Sequence, residues 1–199
     1  MVREIARDPA LRGKVIPLAF HVDYWDHLGW RDAFSSPEWS RRQMIYVRAL
    51  ALPSAYTPQM VINGTRQFVG TNRRAYEAAV ADASKQPSAG TLQMTTKQSG
   101  DSLEATIVAN VTEAARPLDL WLAIAQNGAV TKIAAGENGG TTIDNAAIVR
   151  KLIRVDVLRS GTTKKTVVVP IDKKWGAVTG IAFLQERGTM AIRCATMAP

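Results

Sequence analysis

The stretch Ser54-Ala-Tyr-Thr-Pro-Gln-Met-Val-Ile-Asn-Gly64 guides the interpretation of the whole chain. Pro58 has no backbone N–H, so it favours the first position of a strand over a strand interior. The apolar residues from Met60 to Ile62 then predict a short buried strand. Asn63-Gly64 is a strong signal for a two-residue hairpin turn, which predicts a partner strand over residues 66–70.

Local signals on either side of this stretch predict helices around a second strand. Val2 to Arg7 resembles the last turns of a helix. Ser36-Pro37-Glu38 combines a capping serine, a proline at the first helical position and an acid in the first turn, and it predicts a helix to about Leu52. Asn72 predicts the cap of a further helix. The near-continuous apolar run from Lys14 to Val22 predicts a strand buried on both faces, as in a parallel sheet, with Pro17 favouring an edge position or a bulge.

The helix that Ser36 caps is predicted to be amphipathic. Trp39, Tyr46 and Leu50 share one face, which we expect to be buried. Three arginines are expected to face solvent instead: Arg41, Arg42 and Arg48.

The loop from His21 to Trp30 holds two Trp, one Tyr, two Asp and two His. In open α/β sheets ligands bind beyond the carboxyl ends of the strands, so this loop is a candidate binding rim. In that interpretation Asp23 or Asp26 is a polar anchor and Trp25 or Trp30 is a wall. The alternative is an aromatic plug over the core, whose polar groups bond to the loop's own backbone. We favour the plug for Trp30, while both interpretations stay open for Trp25.

Metal binding is a weaker interpretation of the same loop. His21 is favoured as a core histidine. The spacing of His21, Asp23, Asp26 and His27 fits no established metal motif, so we expect no metal. No cofactor fingerprint is present either.

The second half of the chain changes to a period of two residues. Gln86-Pro-Ser-Ala-Gly90 resembles a linker, which predicts one domain over residues 1–86 and another over residues 91–199. Alternating apolar residues predict strands at 103–111 and 118–124, and Asn127-Gly128 predicts a hairpin into residues 130–134. Later strands are predicted at 152–158, 166–171, 178–184 and 190–196. Several short strands with turns between them are typical of a β-sandwich.

A glycine-rich segment from Gly136 to Lys151 interrupts these strands. Its glycines do not follow a dinucleotide or phosphate-loop spacing. We predict a crossover loop of the sandwich and a short helix capped by Asp144 or Asn145. A ligand contact by Glu137 or Asn138 is a further possibility.

Composition restricts the function classes. The net charge of +8 permits an acidic partner, but no nucleic-acid-binding motif accompanies the scattered Lys and Arg, so we expect no specific nucleic-acid binding. No apolar run approaches the ~18–20 residues of a membrane span. Cys194 is the single cysteine and is expected to be a small buried apolar residue. The first residues lack the apolar segment of a signal peptide.

Three motifs together resemble one family: residues 19–32, residues 56–64, and Gly136-Glu-Asn with Ile148-Val-Arg150. This is the thioredoxin-like, predicted secreted bacterial family called domain of unknown function 1223. The resemblance implies an incomplete thioredoxin-like domain, of class α/β, followed by an antiparallel β-sandwich. It also implies a cis Thr57–Pro58 bond facing the substrate site.

Family members usually carry an additional N-terminal strand and a Cys-x-x-Cys turn, preceded by a secretion signal. Their absence here leads us to expect an N-terminally truncated sequence. In a thioredoxin-type sheet the lost strand is central, so apolar faces and main-chain groups of its neighbours would be left uncovered. A shortened protein that fills the gap with another segment is the rival interpretation.

The resemblance implies a thiol–disulfide oxidoreductase-like role in the periplasm or outside the cell, with a peptide or protein thiol as substrate. The chain has one cysteine and so lacks the cysteine pair, and we expect no redox activity from it alone. Whether the chain is itself an enzyme is left open, and its oligomeric state cannot be predicted. The alternative is a non-enzymatic binding protein for a peptide or small molecule. The candidate substrate-binding residues for both functions are Asp23, Tyr24, Trp25, Tyr56, Thr57 and Pro58.

Overall fold

The structure is a computed structural model that describes residues 1–112, 114–133 and 139–198. The part that precedes residue 90 contains three α-helices, a short 3₁₀ helix (Pro9–Leu11) and one hairpin. The helices are α1 (Val2–Arg7), α2 (Pro37–Ala49) and α3 (Arg73–Ala83). The hairpin joins strands β1 (Gln59–Ile62) and β2 (Arg66–Val69), which pair antiparallel.

The predicted helix starts are confirmed by their caps. The Ser36 hydroxyl accepts a hydrogen bond from the Glu38 N–H (3.2 Å), and Asn72 Oδ1 accepts one from the Ala75 N–H (3.0 Å). Each bond satisfies a backbone donor that has no partner inside the helix. The Thr57–Pro58 peptide bond is cis, as the resemblance implied.

Two predictions about the strands and turns of this part are wrong. Residues 14–22 do not form a strand, because only Ala19 has a ladder neighbour, in a single parallel bridge to Ile148. A strand needs a partner along its length, and the other edge of this segment faces an open trough. The turn between β1 and β2 has three residues, not two, since Ile62 pairs with Arg66.

Eleven strands in all are formed by the described residues, and nine of them follow α3. The boundary predicted between residues 86 and 91 lies between α3 and β3, and it stays a prediction. The nine strands are β3 (Gly90–Ser99), β4 (Ser102–Val111), β5 (Leu118–Gln126), β6 (Ala129–Lys132), β7 (Thr142–Asn145), β8 (Ile148–Leu158), β9 (Gly161–Pro170), β10 (Val178–Glu186) and β11 (Ile192–Met197).

These strands form two main antiparallel sheets that pack face to face. One sheet has the order β11-β10-β5-β8 and the other the order β3-β4-β9. Their alternating apolar residues share one core, which includes Ile107 from β4, Leu122 from β5 and Leu184 from β10. The predicted class, α/β followed by antiparallel β, is consistent with these helices and several antiparallel sheets.

The helix predicted after the glycines and the hairpin predicted at Asn127-Gly128 are both wrong. Asp144 and Asn145 end strand β7 and cap no helix. Strand β6, after Asn127-Gly128, pairs with β7 and not with β5. Both edges of β5 are already occupied by β8 and β10, so the chain has to leave this sheet at the turn. Glu137 and Asn138 lie outside the described residues.

The first part of the chain packs on the outer face of the four-stranded sheet. A second apolar cluster contains Ala123, Ala125, Ile181 and Phe183 from β5 and β10, and Ile16 and Leu18 pack against it. The central strands of this sheet are therefore buried on both faces. This contact positions residues 15–22 above the sheet.

Candidate ligand-binding site

A large open trough lies between residues 15–22 and strand β1. Its volume is about 1810 Å³. Its lining includes Ile5 from α1, Tyr76 and Ala79 from α3, and Ile181 and Phe183 from β10. The trough is therefore an apolar space bounded by helices, by the outer face of a sheet and by two extended segments.

Trp25 stands at this trough beside Thr57. The indole Nε1–H donates to the Thr57 hydroxyl (3.0 Å), and the Tyr24 ring contacts the indole edge-on with centroids 5.2 Å apart. Trp25 is 49% exposed, and it lines the trough together with Thr57 and Pro58. The aromatic loop and the Thr57–Pro58 step, which are far apart in sequence, thus meet at one place.

Gln43 of α2 ties these two segments together, and the sequence reasoning missed it. Its Oε1 accepts from the Tyr24 hydroxyl (2.9 Å), while its Nε2 donates to the Tyr56 carbonyl (2.8 Å) and to Gln59 Oε1 (3.0 Å). A glutamine within a run of arginines gives no functional signal in a sequence. The signal available was its position one turn after Trp39, on a helix predicted to be half buried.

The two tyrosines beside Gln43 are hydrogen-bonded and protonated at neutral pH. Burial raises the pKa of Tyr24, against the opposing effect of its bond to Gln43, and burial also raises the pKa of Tyr56. The Tyr56 hydroxyl bonds to Gln67 on β2. Both phenols hold the loop and the hairpin in place, behind the residues that line the trough.

Asp23 and Asp26 are hydrogen-bonded to residues that follow the loop in sequence. The Asp23 carboxylate accepts from the Ser40 hydroxyl of α2, and its N–H donates to the same hydroxyl (3.1 Å). Asp26 accepts from the Ser35 hydroxyl (2.6 Å) and from the Asp32 N–H (3.2 Å). The partners lie on α2 and on residues 32–35, so the loop's own backbone does not satisfy these two carboxylates as the plug interpretation expected.

His21 lines the trough and is oriented by Asp32. The Nδ1 of His21 lies 2.6 Å from Asp32 Oδ2, and the imidazole packs edge-on against Phe34. Burial acts to raise the pKa of Asp32, but the hydrogen bonds from His21 and the Phe34 N–H, with the charges of His21 and Arg150, hold it below its ordinary value. Asp32 is therefore a carboxylate at neutral pH that fixes the imidazole ring.

The structure separates the six candidate residues into two groups. Trp25, Thr57 and Pro58 line the trough. Asp23, Tyr24 and Tyr56 lie behind them as supports. Trp30, favoured as a plug, also lines the trough, and Cys194 is half-buried on β11 and packs against the main core.

The described residues show no group of three or more His, Cys, Asp or Glu that could hold a metal ion. None of the helices in the described ranges is both long enough and apolar enough to cross a membrane.

Comparisons with known proteins place the chain in a family and give one solved structure of similar fold. Residues 1–185 match the model of the family described as Protein of unknown function (DUF1223). The crystal structure of protein AGR_C_4864 from Agrobacterium tumefaciens is similar, with a TM-score of 0.69 and 24% identity over 99% of this chain and 86% of that chain. The sporulation control protein Spo0M from Bacillus subtilis matches with a TM-score of 0.37 and 10% identity, over 55% of this chain and 47% of that chain. No curated protein matches the chain.

Proposed function

Because the chain belongs to the DUF1223 family, whose function is not known, we propose from its trough that it is a non-enzymatic binding protein for a peptide or small apolar molecule. The observation that carries the proposal is the apolar trough of about 1810 Å³ with Trp25 at its side. Sites of this kind are concave and mostly apolar, with a few polar groups that orient the ligand. Trp25 and Thr57 supply an aromatic wall and a hydroxyl at the same place.

The binding proposal is tested by titrating the folded protein with an apolar fluorescent probe such as an anilinonaphthalene sulfonate. We expect saturable binding, and we expect Trp25→Ala to weaken it by about fivefold or more, since the ring supplies contact area. Val168→Ala is the matched control, because Val168 is 60% exposed and does not line the trough. No binding to the folded protein, or equal loss in both variants, would reject the proposal.

A second proposal follows the thioredoxin-like resemblance. It holds that residues 1–86 are an incomplete thioredoxin-like unit, that the protein works in the periplasm or outside the cell, and that the family takes part in thiol–disulfide exchange. Two observations favour it: the order of α2, hairpin and α3, and the position of Pro58 beside Trp25 at the trough. Cys194 is the single thiol, so a cysteine pair must be supplied ahead of Met1.

The redox proposal is tested by a disulfide-reductase assay on a form that carries a Cys-x-x-Cys turn ahead of Met1. We expect this form to be more active than the present chain. We also expect its activity to fall when Trp25 is replaced by Ala. Equal activity with and without the cysteine pair would count against it. Fractionation of cells that express the protein tests the proposed location.

A further inference from the structure

Arg150 on strand β8 is held by two aromatic rings from distant parts of the chain. Its guanidinium carbon lies 5.3 Å from the ring centroid of Phe34 and 4.9 Å from that of Trp175. Phe34 precedes α2, whereas Trp175 lies between β9 and β10. Neither Arg150 nor these two rings line the trough. The contact therefore joins the first part of the chain to the sandwich at a place that the binding proposal does not use.

The rings engage the faces of this guanidinium and leave its N–H groups free. Within the described residues Arg150 forms neither a hydrogen bond nor an ion pair. Arg42, which aromatic rings also enclose, is different because it donates to Gln185 (3.0 Å). Burial lowers the pKa of Arg150, and the charges of Asp172 and Asp32 oppose this effect. The side chain is thus partly removed from water without a protein acceptor in exchange, so an acceptor from a ligand is favoured there.

A small polar cleft adjoins Arg150. Its volume is about 150 Å³, and it is lined by residues 33–36, Glu38, Trp39, Val149 and Arg150. A water molecule takes ~30 Å³ of liquid, so the cleft has room for a group of about four heavy atoms. The first N–H groups of α2 are already bonded, since Glu38 donates to the Ser36 hydroxyl (3.2 Å) and Trp39 to the Ser36 carbonyl (3.0 Å). Among the described residues in this lining Arg150 is the one cation, so an anion in the cleft would be bound by its guanidinium.

Neighbouring acids favour a monoanion over a dianion. Glu38 lines the cleft, and the carboxylates of Asp32 and Asp172 act on the charge of Arg150. Their repulsion is proportional to the charge of the ligand, so it is about twice as large for a phosphate or sulfate dianion as for a carboxylate. A carboxylate is also planar and accepts two parallel N–H bonds from one guanidinium. The single, ring-held arginine therefore fits a carboxylate.

We propose that the cleft binds a carboxylate group, which accepts a bidentate pair of N–H bonds from Arg150. Phe34 and Trp175 hold the guanidinium in place, so little side-chain entropy is lost when the ligand binds. Two sources share this chemistry, a small organic acid and the C-terminal carboxylate of a peptide. The inference goes beyond the binding function proposed above, because it concerns a separate site and holds whether or not the trough binds a ligand.

The test follows the arginine Nε–H signals of the whole protein by ¹⁵N NMR while acetate replaces chloride at constant ionic strength. The Arg150 signal is assigned from triple-resonance spectra. We expect a saturable shift of this signal with a Kd on the order of 1 mM, since a ligand of about four heavy atoms makes few contacts. The signal of Arg154, which is exposed on the same strand, is the internal control and should not shift saturably.

Matched anions and peptides identify the ligand class and its source. Sulfate should bind at least about tenfold more weakly than acetate, because of the acids beside the cleft. An N-acetylated trialanine with a free C-terminal carboxylate should shift the Arg150 signal, whereas the same peptide with a C-terminal amide should not. A free-acid peptide that binds at least about fivefold more tightly than acetate indicates a peptide terminus as the source. An affinity equal to that of acetate or lower indicates a small organic acid.

Variants separate the guanidinium from the charge that it carries. Arg150→Lys keeps a cation but loses the planar fork, so acetate should bind at least about tenfold more weakly, with the indole N–H signal of Trp175 as the reporter. Trp175→Leu removes one ring and should weaken binding by about threefold. Arg154→Lys is the matched control and should leave the affinity unchanged.

Three outcomes overturn the proposal. If Arg150→Lys or the amide peptide binds as well as its parent, or if the Arg150 and Arg154 signals respond alike, the response is only the general attraction of a basic protein for anions. If sulfate binds as tightly as acetate, the assignment to a carboxylate is wrong. The comparisons of anions, of peptides and of the two arginine signals need no variant, so they decide the question even if a variant does not fold.

Discussion

Arg42 is a cation enclosed by aromatic rings. It is 8% exposed, and its guanidinium carbon lies 5.4 Å from the ring centroids of Phe20 and Tyr46 and 5.7 Å from that of Trp121. Its Nη2 donates to Gln185 on β10 (3.0 Å). We predicted a solvent position for Arg42, and that prediction is wrong because helical spacing cannot show that a sheet packs against this face of α2.

Replacing Arg42 should destabilise the protein markedly. Arg42→Met keeps the aliphatic stem but removes the cation and leaves Gln185 without its donor, so we expect a loss of about 2–4 kcal/mol in the free energy of unfolding. Arg41→Met is the control, because Arg41 is exposed, and it should stay within about 0.5 kcal/mol. Urea unfolding measures both. A neutral or stabilising Arg42→Met would mean that the cost of burying the guanidinium outweighs its contacts.

Asp32 should make the free energy of unfolding depend on pH in the acidic range. Its pKa in the folded protein is lowered, so its contribution is present above the pKa of an unfolded aspartate, about 3.9, and is lost as the pH falls through the folded value. We expect the free energy of unfolding to fall below about pH 4, and Asp32→Asn to flatten that fall. Glu104→Gln, at an exposed position of β4, is the control. The same steep fall in Asp32→Asn would contradict the assignment.

Gly64 holds the hairpin against strand β11. Its φ is +73°, and a Cβ there would lie 1.9 Å from the Met190 carbonyl oxygen, next to the bond from the Ile192 N–H to the Asn63 carbonyl (2.8 Å). Gly100 has a similar φ of +56°, but its Cβ would meet open space. Alanine substitutions at these two glycines therefore separate the cost of backbone strain from the cost of a steric clash.

We expect Gly100→Ala to cost about 1–2 kcal/mol through strain alone. Gly64→Ala should cost about 3 kcal/mol or more, because the hairpin must also move away from β11. Thermal and urea unfolding of the two variants provide the measurement. If both variants lose the same free energy of unfolding, the hairpin can move away from β11 without a measurable cost. Its contact with β11 then adds little to stability.

The elements that could be predicted are those with local causes. The caps at Ser36 and Asn72 and the alternation in β4 and β5 depend on residues a few positions apart. The failures depend on distant partners. Residues 14–22 look like a strand but pair with β8 at Ala19 alone, and Asn127-Gly128 turns away because β5 is already paired. At the site, Trp25 and Thr57 were both candidates, whereas Gln43 was missed, because its place on the buried face of α2 does not show that it bonds to Tyr24, Tyr56 and Gln59.

The molecule as a whole is organised around β5 and β10. Their inner faces belong to the core between the two sheets, and their outer faces pack against the segment that contains Ile16 and Leu18. An opening that exposes these strands must therefore disrupt both parts of the chain. Strands β6 and β7 form a separate two-stranded ribbon, and Val130 on it is 68% exposed.

Native-state hydrogen exchange should reveal this organisation. The amides at the centres of β5 and β10, such as those of Leu122 and Ala182, should exchange only through global unfolding and with the largest protection. Amides of β6 and β7 should exchange faster by orders of magnitude, because a two-stranded ribbon is marginally stable by itself. Phe183→Ala removes a ring that is 1% exposed. The free energy of the opening that exposes amides should therefore fall by about 3–5 kcal/mol in β5 and in α2 together. If α2 kept its protection while β5 lost it, the two parts would unfold independently, and residues 1–86 would not depend on the sheet for their stability.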